Sequence, residues 1–150
     1  LSGEGGRIVL ATDLGYLTPE VKAAVRGCGL LICEANHDED WVRSGPYPYY
    51  LKQRILGDRG YLSNEAGAEL AALAVESGTR AVVLAHLSRE NNTPSRAWET
   101  AARRLRSMDC EPGRDLSLSV APHSGLGPTY QLEGGQVLRV SAAGEEAALC

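Results

Sequence analysis

The chain has 150 residues and a mass of 16.0 kDa, a length that predicts one domain over residues 1–150 and excludes a multidomain machine. Its 43% hydrophobic and 23% charged composition excludes a disordered or fibrous protein, and no apolar run approaches the ~18 residues of a membrane span. The net charge of −4 argues against broad non-specific binding to nucleic acid, although a local basic patch is compatible with it. With no basic-then-apolar leader at residue 1, we expect a cytoplasmic protein without a membrane segment.

The first 35 residues have the pattern of a strand, a helix and a second strand. Residues 7–12 (RIVLAT) form a short apolar run before a turn, and residues 29–35 (GLLICEA) are apolar at both alternate sets of positions. Between them, Thr18 and Pro19 predict the start of a helix that Gly27 ends. Because both strands are expected to be covered on both faces, the pattern predicts a βαβ unit in a parallel sheet.

The middle of the chain combines a long loop with a helix and a third buried strand. Residues 36–58 contain an acidic stretch, a Gly-Pro-Tyr-Pro sequence and a short helical pattern, which is typical of a functional loop with helical turns. Ser63 or Asn64 is expected to cap the next helix, which Gly78 ends. Residues 80–86 (RAVVLAH) then predict another buried strand.

The last third of the chain begins with a helix and changes to strands. Thr93 and Pro94 predict the start of the last long helix, and the strand pattern begins after Pro112. The predicted strands cover residues 115–121, 128–133 and 136–141, with a Gly-Gly hairpin turn between the last two. We expect the tail, about residues 143–150, to be frayed.

The cysteines Cys28, Cys33, Cys110 and Cys150 have no CxxC spacing, and we expect them to be reduced. A zinc set of Cys28, Cys33 and His37 is an alternative. An extended strand between the two cysteines would hold those ligands too far apart, which argues against it.

Two of the three predicted buried strands end in a side chain that can bind a metal. Asp13 follows the first strand, and His86 ends the third. Each alone has a plain structural explanation: an Asx turn for Asp13, and a hydrogen-bonded histidine at a strand end for His86. Strand ends in an α/β sheet meet at one crevice, where a carboxylate can bridge two cations and an imidazole can complete the shell of one. The pair therefore predicts half of a two-metal site.

Five short sequences, in a fixed order, carry a resemblance to a known family. They are 12–15 (TDLG), 34–38 (EANHD), 45–48 with 51–54 (GPYP and LKQR), 58–64 (DRGYLSN), and 86–88 with 91–92 (HLS and NN). In this order and spacing they resemble the metallo-β-lactamase fold hydrolases of the YycJ/WalJ group, from about residue 7 to residue 130. The resemblance implies an α/β fold that is half of an αββα four-layer sandwich, and a group associated with exonuclease action on DNA phosphodiesters.

The resemblance also implies roles for individual residues. Asp13 matches the aspartate that bridges both metals, and His86 matches the last histidine ligand of the second metal. With two divalent ions, zinc or manganese, a bridging hydroxide would attack the phosphodiester of a nucleic acid. Further residues are expected around the ligands or the substrate: His37, Asp38, Tyr61, Ser63, Asn64, Asn91, Asn92, Lys52 and Arg54.

The chain departs from the family pattern in two ways. The HxHxDH motif of the N-terminal half of the sandwich is absent, so residues 1–150 resemble the C-terminal half only. Asp13 and His86 are too few ligands for a catalytic zinc site, so we expect activity to need the missing half, in cis or in trans, and the chain alone to be inactive. Where the group typically reads Gly-His-x-Ser-Asn this chain has Tyr61, which cannot act as a titrating imidazole near neutral pH.

Other interpretations of these features remain open from the sequence. The acids at 38–40 suit helix capping as well as cation binding, and the tyrosines and basic residues of 47–59 suit either nucleobase stacking or a solvated helix edge. A half-sandwich with an exposed apolar sheet face also fits a non-catalytic interaction module that pairs with itself, as a homo-oligomer, or with a complementary chain. A doubly wound domain that binds a phosphate ligand ranks last, because no glycine-rich phosphate loop follows any strand.

Overall fold

The computed structural model describes residues 1–140 and the backbone of residues 146–148. The main sheet has the strand order β1-β2-β3-β4-β5, in which β2 to β5 are parallel and β1 is antiparallel to β2. These strands are β1 (Ser2–Gly3), β2 (Gly6–Ala11), β3 (Leu30–Glu34), β4 (Ala81–Ala85) and β5 (Ser117–Val120). A second, antiparallel sheet consists of β6 (Thr129–Glu133), β7 (Gln136–Val140) and β8 (Glu146–Ala148). With the helices described next, this confirms the predicted α/β class and the parallel βαβ unit.

The helices of the described residues are α1 (Pro19–Val25), α2 (Glu39–Ser44), α3 (Tyr49–Leu56), α4 (Asn64–Glu76) and α5 (Pro94–Arg106). Each of the three connections between the parallel strands β2 to β5 contains a helix that starts at a hydroxyl cap. The side chains of Thr18, Ser63 and Thr93 each accept a hydrogen bond from the backbone amide three residues later. Each cap satisfies an amide that has no partner inside the helix, and Ser63 rather than Asn64 is the cap of α4.

One face of the main sheet packs against α1, α4 and α5 and forms the larger core. Leu31 and Leu84 from the strands, together with Leu70 and Leu105 from α4 and α5, are fully buried there. Gly67 of α4 lies so close to β3 that an added Cβ would overlap a backbone carbonyl oxygen of the strand. Helix α4 therefore contacts β3 near the end of the strand that leads into the candidate site.

The other face of the main sheet is only partly covered. Its covered part packs on the β6–β7 hairpin, through Leu30, Ala81 and Val137. The hairpin turns at Gly134 and Gly135, whose φ values are +56° and +80°. Leu10, which by strand alternation lies on the same face as Ile8, stays 67% exposed. An apolar side chain is thus exposed on the sheet face where the sequence predicts one.

Cys28, Cys33 and Cys110 form no disulfide among the described residues, and Cys150 lies outside them. Over the described ranges, Cys28, Cys33 and His37 do not form a group that could hold a metal. The tail expected to be frayed, 143–150, also lies outside the described residues, except for 146–148, which pair with β7. In the part of the chain that is described, no helix has the length and hydropathy needed to cross a membrane.

Candidate metal centre

The parallel strands β2, β3 and β4 bring three ligand-type side chains to one edge of the sheet. Asp13 follows β2 by two residues, Glu34 is the last residue of β3, and His86 follows β4 directly. Strand pairing places Ala11 beside Cys33 and Glu34 beside Ala85, so the three strands end nearly level. Convergence at the carboxyl edge follows from the parallel topology.

Asp13 and His86 turn away from their strands through an unusual backbone conformation. Both have a φ of +59°, in the left-handed region that non-glycine residues seldom adopt. Within the described residues, Asp109 is the other non-glycine residue with a positive φ. Such conformations cluster at functional sites, where the surrounding structure holds them in place.

The imidazole of His86 lies between the other two side chains. Its Nε2 is 3.8 Å from Asp13 Oδ1, and its Nδ1 is 2.5 Å from Glu34 Oε1. The side chains of Asp13 and His86 are 70% and 42% exposed, whereas that of Glu34 is 0% exposed. The structure therefore brings Asp13 and His86 together at a solvent-accessible position, with a buried carboxylate behind the histidine.

Glu34 is a buried carboxylate whose oxygens are all hydrogen-bonded. Its Oε2 accepts from the backbone amides of Leu14, at 3.0 Å, and Leu62, at 3.2 Å, while Oε1 accepts from His86. A buried carboxylate without partners would be strongly destabilising, so this network is required for the side chain to be there. The sequence comparison with the family includes Glu34 only as the first residue of the segment 34–38 (EANHD), without a predicted role. The sequence feature that could have indicated a role for Glu34 is an acid in an otherwise apolar strand that is covered on both faces.

The donor set of Asp13 and His86 suits a divalent cation. With an ionised Glu34, which can only accept, a neutral His86 that donates its Nδ1 proton to this carboxylate keeps the lone pair of Nε2 on the side of Asp13. Histidines that bind metals usually have this arrangement, with the second nitrogen bonded to a carboxylate or carbonyl. Two ligand atoms about 2.0–2.2 Å from one zinc ion lie roughly 3–3.5 Å apart, near the 3.8 Å between Asp13 and His86. The pair fits a cation but supplies fewer than the three or four protein ligands of a zinc site.

Tyr61 borders the candidate ligands. Its ring meets the ring of His86 edge to face, with centroids 5.3 Å apart and planes at 79°. The next residue, Leu62, donates its amide to Glu34. Tyr61 is thus placed beside the imidazole of His86. Ser63 uses its hydroxyl to cap α4.

The predicted asparagines brace the backbone around the centre. The side-chain amides of Asn64 and Asn92 bond each other reciprocally, at 3.0 and 2.8 Å, and Asn92 also donates to the carbonyls of residues 35 and 36. The carbonyl of Asn91 accepts from the amide of Asp38. Asn36, which sequence reasoning did not single out, donates from Nδ2 to the carbonyl of His86 at 2.8 Å. These amides hold the loops after β3 and β4 together and do not face the ligand atoms.

The remaining predicted residues lie outside the ligand group. His37 is fully buried, burial lowers the pKa of its imidazole, and its Nδ1 has no hydrogen-bond partner. Asp38 caps α2 and forms an ion pair with Arg96 at 2.8 Å, as the capping interpretation requires. Lys52 donates from Nζ to the carbonyl of residue 43, and Arg54 is exposed on α3.

The chain is similar in sequence to known exodeoxyribonucleases. None of the protein-family models searched matches the chain. Over 110 residues, 73% of this chain, it is 41% identical to the exodeoxyribonucleases WalJ of Streptococcus pneumoniae serotype 2 strain D39 and of strain R6, covering 41% of each. Over 86 residues, 57% of this chain, it is 38% identical to exodeoxyribonuclease YycJ of Bacillus anthracis, covering 33% of that protein. The chain thus spans less than half the length of the curated relatives it matches, which fits the predicted partial resemblance.

Proposed function

Because this chain is a relative of the WalJ/YycJ group of metallo-β-lactamase fold proteins, we propose that it is the C-terminal half of a metal-dependent hydrolase of nucleic-acid phosphodiesters. The observation that carries the proposal is the convergence of Asp13 and His86, with Nε2 on the side of Asp13 and Nδ1 bonded to Glu34. The names of the relatives support nucleic acid as the substrate, because all three are exodeoxyribonucleases.

In this proposal each side chain of the centre has one task. Asp13 and His86 would hold two divalent ions, zinc or manganese, which when bound supply a nucleophilic hydroxide at neutral pH and stabilise the charged phosphate. Glu34 fixes the tautomer and orientation of His86, which is a positioning role. The hydroxyl of Tyr61, at the position of the family histidine, would donate a hydrogen bond to a phosphate oxygen.

We propose that the other ligands come from the N-terminal half of the sandwich, in cis or in trans. Two observations support this. The described residues offer one ligand group, with only Asp13 and His86 open to solvent, and the partly covered sheet face exposes Leu10. A complementary half would cover that face and complete the ligand set.

The test joins the chain to an upstream half that contains HxHxDH, and measures bound zinc and manganese together with exonuclease activity. We expect metal-dependent activity that is lost in Asp13→Asn and in His86→Asn. Asp109→Asn is the matched control, because Asp109 is also exposed and has a φ of +58° but lies outside the ligand group. An assembled protein that binds no metal, or that stays fully active with Asp13→Asn, would contradict the proposal.

A second candidate function is a non-catalytic interaction module, which the exposure of Leu10 favours. In that case the chain pairs through its sheet face. Leu10→Ser should then lower the molecular mass of the assembly measured in solution and leave the amount of bound metal unchanged. A monomeric chain with a cooperative thermal transition would count against this candidate, because no sheet face would then be in need of a partner.

The expected compartment is the cytoplasm. The free thiols of Cys28, Cys33 and Cys110 support it, because thiols persist in reducing compartments. Alkylation of the protein in intact cells, followed by mass spectrometry, measures the fraction of each thiol that is reduced.

A further inference from the structure

Helix α3 exposes two adjacent aromatic rings. Tyr49 and Tyr50, at its start, are 77% and 74% exposed, and no residue of this eight-residue helix is buried. Neighbouring positions on a helix point about 100° apart, so the two rings offer separate flat surfaces. Tyrosine rings exposed to this degree contribute little to the core and are typical of contact surfaces.

The segment that carries α3 is attached at both ends to the loops of the candidate metal centre. Before the helix, the hydroxyl of Tyr47 donates to Glu90 Oε2 at 2.7 Å, in the loop after β4. After the helix, Gly15 of the loop after β2 lies so close to Asp58 that an added Cβ would overlap its carbonyl oxygen. The chain then reaches Tyr61, beside His86. Helix α3 therefore borders the centre.

The same segment is basic in an acidic protein. Residues 43–59 contain four basic residues and one acid, a local charge of +3, whereas the whole chain has −4. Arg43 is paired with Glu39, and Lys52 bonds a backbone carbonyl. Within the described residues, Arg54 and Arg59 have no acidic partner and are exposed. Two arginines without partners remain available for phosphates.

Aromatic rings beside unpaired cations are the combination with which proteins bind single strands, because unpaired bases leave their faces open for stacking. We propose that α3 binds single-stranded nucleic acid, with bases stacked on Tyr49 and Tyr50 and phosphates held by Arg54 and Arg59. The strand end is thereby directed to the candidate metal centre. This delivery of the strand end to the centre rests on the proposed function, whereas binding of the strand to α3 does not. DNA and RNA share the chemistry used, and the test below separates them.

The test measures fluorescence anisotropy of labelled (dT)20 with the full chain in EDTA, so that no metal contributes. The double variant Tyr49→Ala/Tyr50→Ala should weaken binding about tenfold or more, from the loss of base stacking. Tyr49→Phe/Tyr50→Phe keeps the rings and should bind within about twofold of the wild type. Far-ultraviolet circular dichroism checks that both variants are folded.

The basic residues are tested through the salt dependence of the same binding. Each lost phosphate contact lowers the slope of log affinity against log salt by about 0.7, so Arg54→Gln/Arg59→Gln should lower it by about 1.4. Arg26→Gln/Arg103→Gln, which removes two exposed arginines outside residues 43–59, should leave the slope unchanged.

The outcomes are separable. Unchanged affinity after removal of both tyrosine rings, or equally tight and tyrosine-dependent binding of a 20-base-pair duplex, would overturn the proposal. So would the absence of oligonucleotide binding together with a fall in solution mass on removing the rings, because α3 would then be a protein interface. Tyrosine-dependent binding of (dT)20, of (rU)20 or of both supports it and identifies the nucleic acid. Asp13→Asn/His86→Asn should still bind (dT)20, so failure of the metal centre is distinguishable from failure of α3.

Discussion

Replacing Glu34 with glutamine changes one atom of a buried side chain and reverses the hydrogen-bond role of that atom. The amide oxygen must stay where Oε2 is, because an NH2 group there would face two backbone donors, the amides of Leu14 and Leu62. The new NH2 group then faces His86 Nδ1 and donates to it. His86 must accept at Nδ1 and carry its proton on Nε2, the nitrogen that faces Asp13. The substitution therefore removes the lone pair that, in the proposed function, would bind the metal.

The size of the effect follows from the same contacts. The two hydrogen bonds from backbone amides would then go to a neutral amide oxygen and no longer to a charged carboxylate. This lowers the free energy of unfolding by about 1–2 kcal/mol and leaves the fold intact. Loss of a carboxylate behind a metal-binding histidine typically lowers metal affinity by about 10- to 100-fold. Glu34→Ala would instead leave both amides without a partner at about 1–3 kcal/mol each, in addition to a cavity. Glu34→Gln therefore changes the tautomer of His86 at a small cost in stability, whereas Glu34→Ala would change both.

Two measurements check this prediction. Nitrogen-15 spectra of the folded, metal-free chain report which nitrogen of His86 carries the proton, and calorimetric titration of the protein assembled with an HxHxDH half reports zinc affinity. Glu69→Gln is the control, since Glu69 is an exposed acid that pairs with Arg104 away from the centre. If Glu34→Gln is folded and still has an Nδ1-protonated His86, or binds zinc within twofold of the wild type, the reasoning is refuted.

Three further predictions concern the fold around the site. Gly67→Ala places a methyl group against the carbonyl of Glu34 and should lower the free energy of unfolding, measured in urea, by about 1–3 kcal/mol. Gly3→Ala is the control, because its methyl group meets no neighbour. Equal stability of the two variants would contradict the packing of α4 on β3. Burial lowers the pKa of His37, so the unfolded chain binds more protons below pH ~6.5. Stability should therefore fall as the pH drops from 6.5 through the lower pKa of the folded state, more steeply than in His37→Gln, and parallel pH profiles from urea unfolding would disprove it. Burial raises the pKa of the Cys33 thiol to about 12, so iodoacetamide at pH 8 should leave this thiol unmodified in the folded chain and modify it in urea. Peptide mass mapping measures the modification. Rapid labelling of Cys33 in the folded chain would argue against its buried position.

The elements of the fold could be predicted because their signals are local. Thr18, Ser63 and Thr93 mark helix starts through bonds to amides three residues away, and the buried strands show in their apolar runs. The pairing of strands needs only the rule that a helix between two buried strands joins them in parallel. An exposed second sheet face was predicted from the resemblance to a half-sandwich. The cover that the β6–β7 hairpin gives to part of this face was not predictable, because no local pattern says where the hairpin packs.

The candidate site was predictable where its residues lie at strand ends, and not where they act through distant backbone. Asp13 and His86 were found because parallel strands end at one edge. The role of Glu34 depends on amides 20 and 28 residues away in the chain, and that of Asn36 on a carbonyl 50 residues away, which no spacing rule indicates. His37 is near these residues in sequence, but it is buried among other neighbours and outside the ligand group.

The left-handed backbone at Asp13 and His86 has a consequence for how this edge of the sheet is maintained. A non-glycine residue held in that region costs about 1 kcal/mol or more, which glycine would avoid. At position 13, therefore, the residue best for thermal robustness differs from the residue best for the proposed chemistry, whereas glycine at 86 would leave the buried Oε1 of Glu34 without its partner. A library of variants sorted only by melting temperature would enrich glycine at 13, whereas one sorted by ion capture would retain the aspartate.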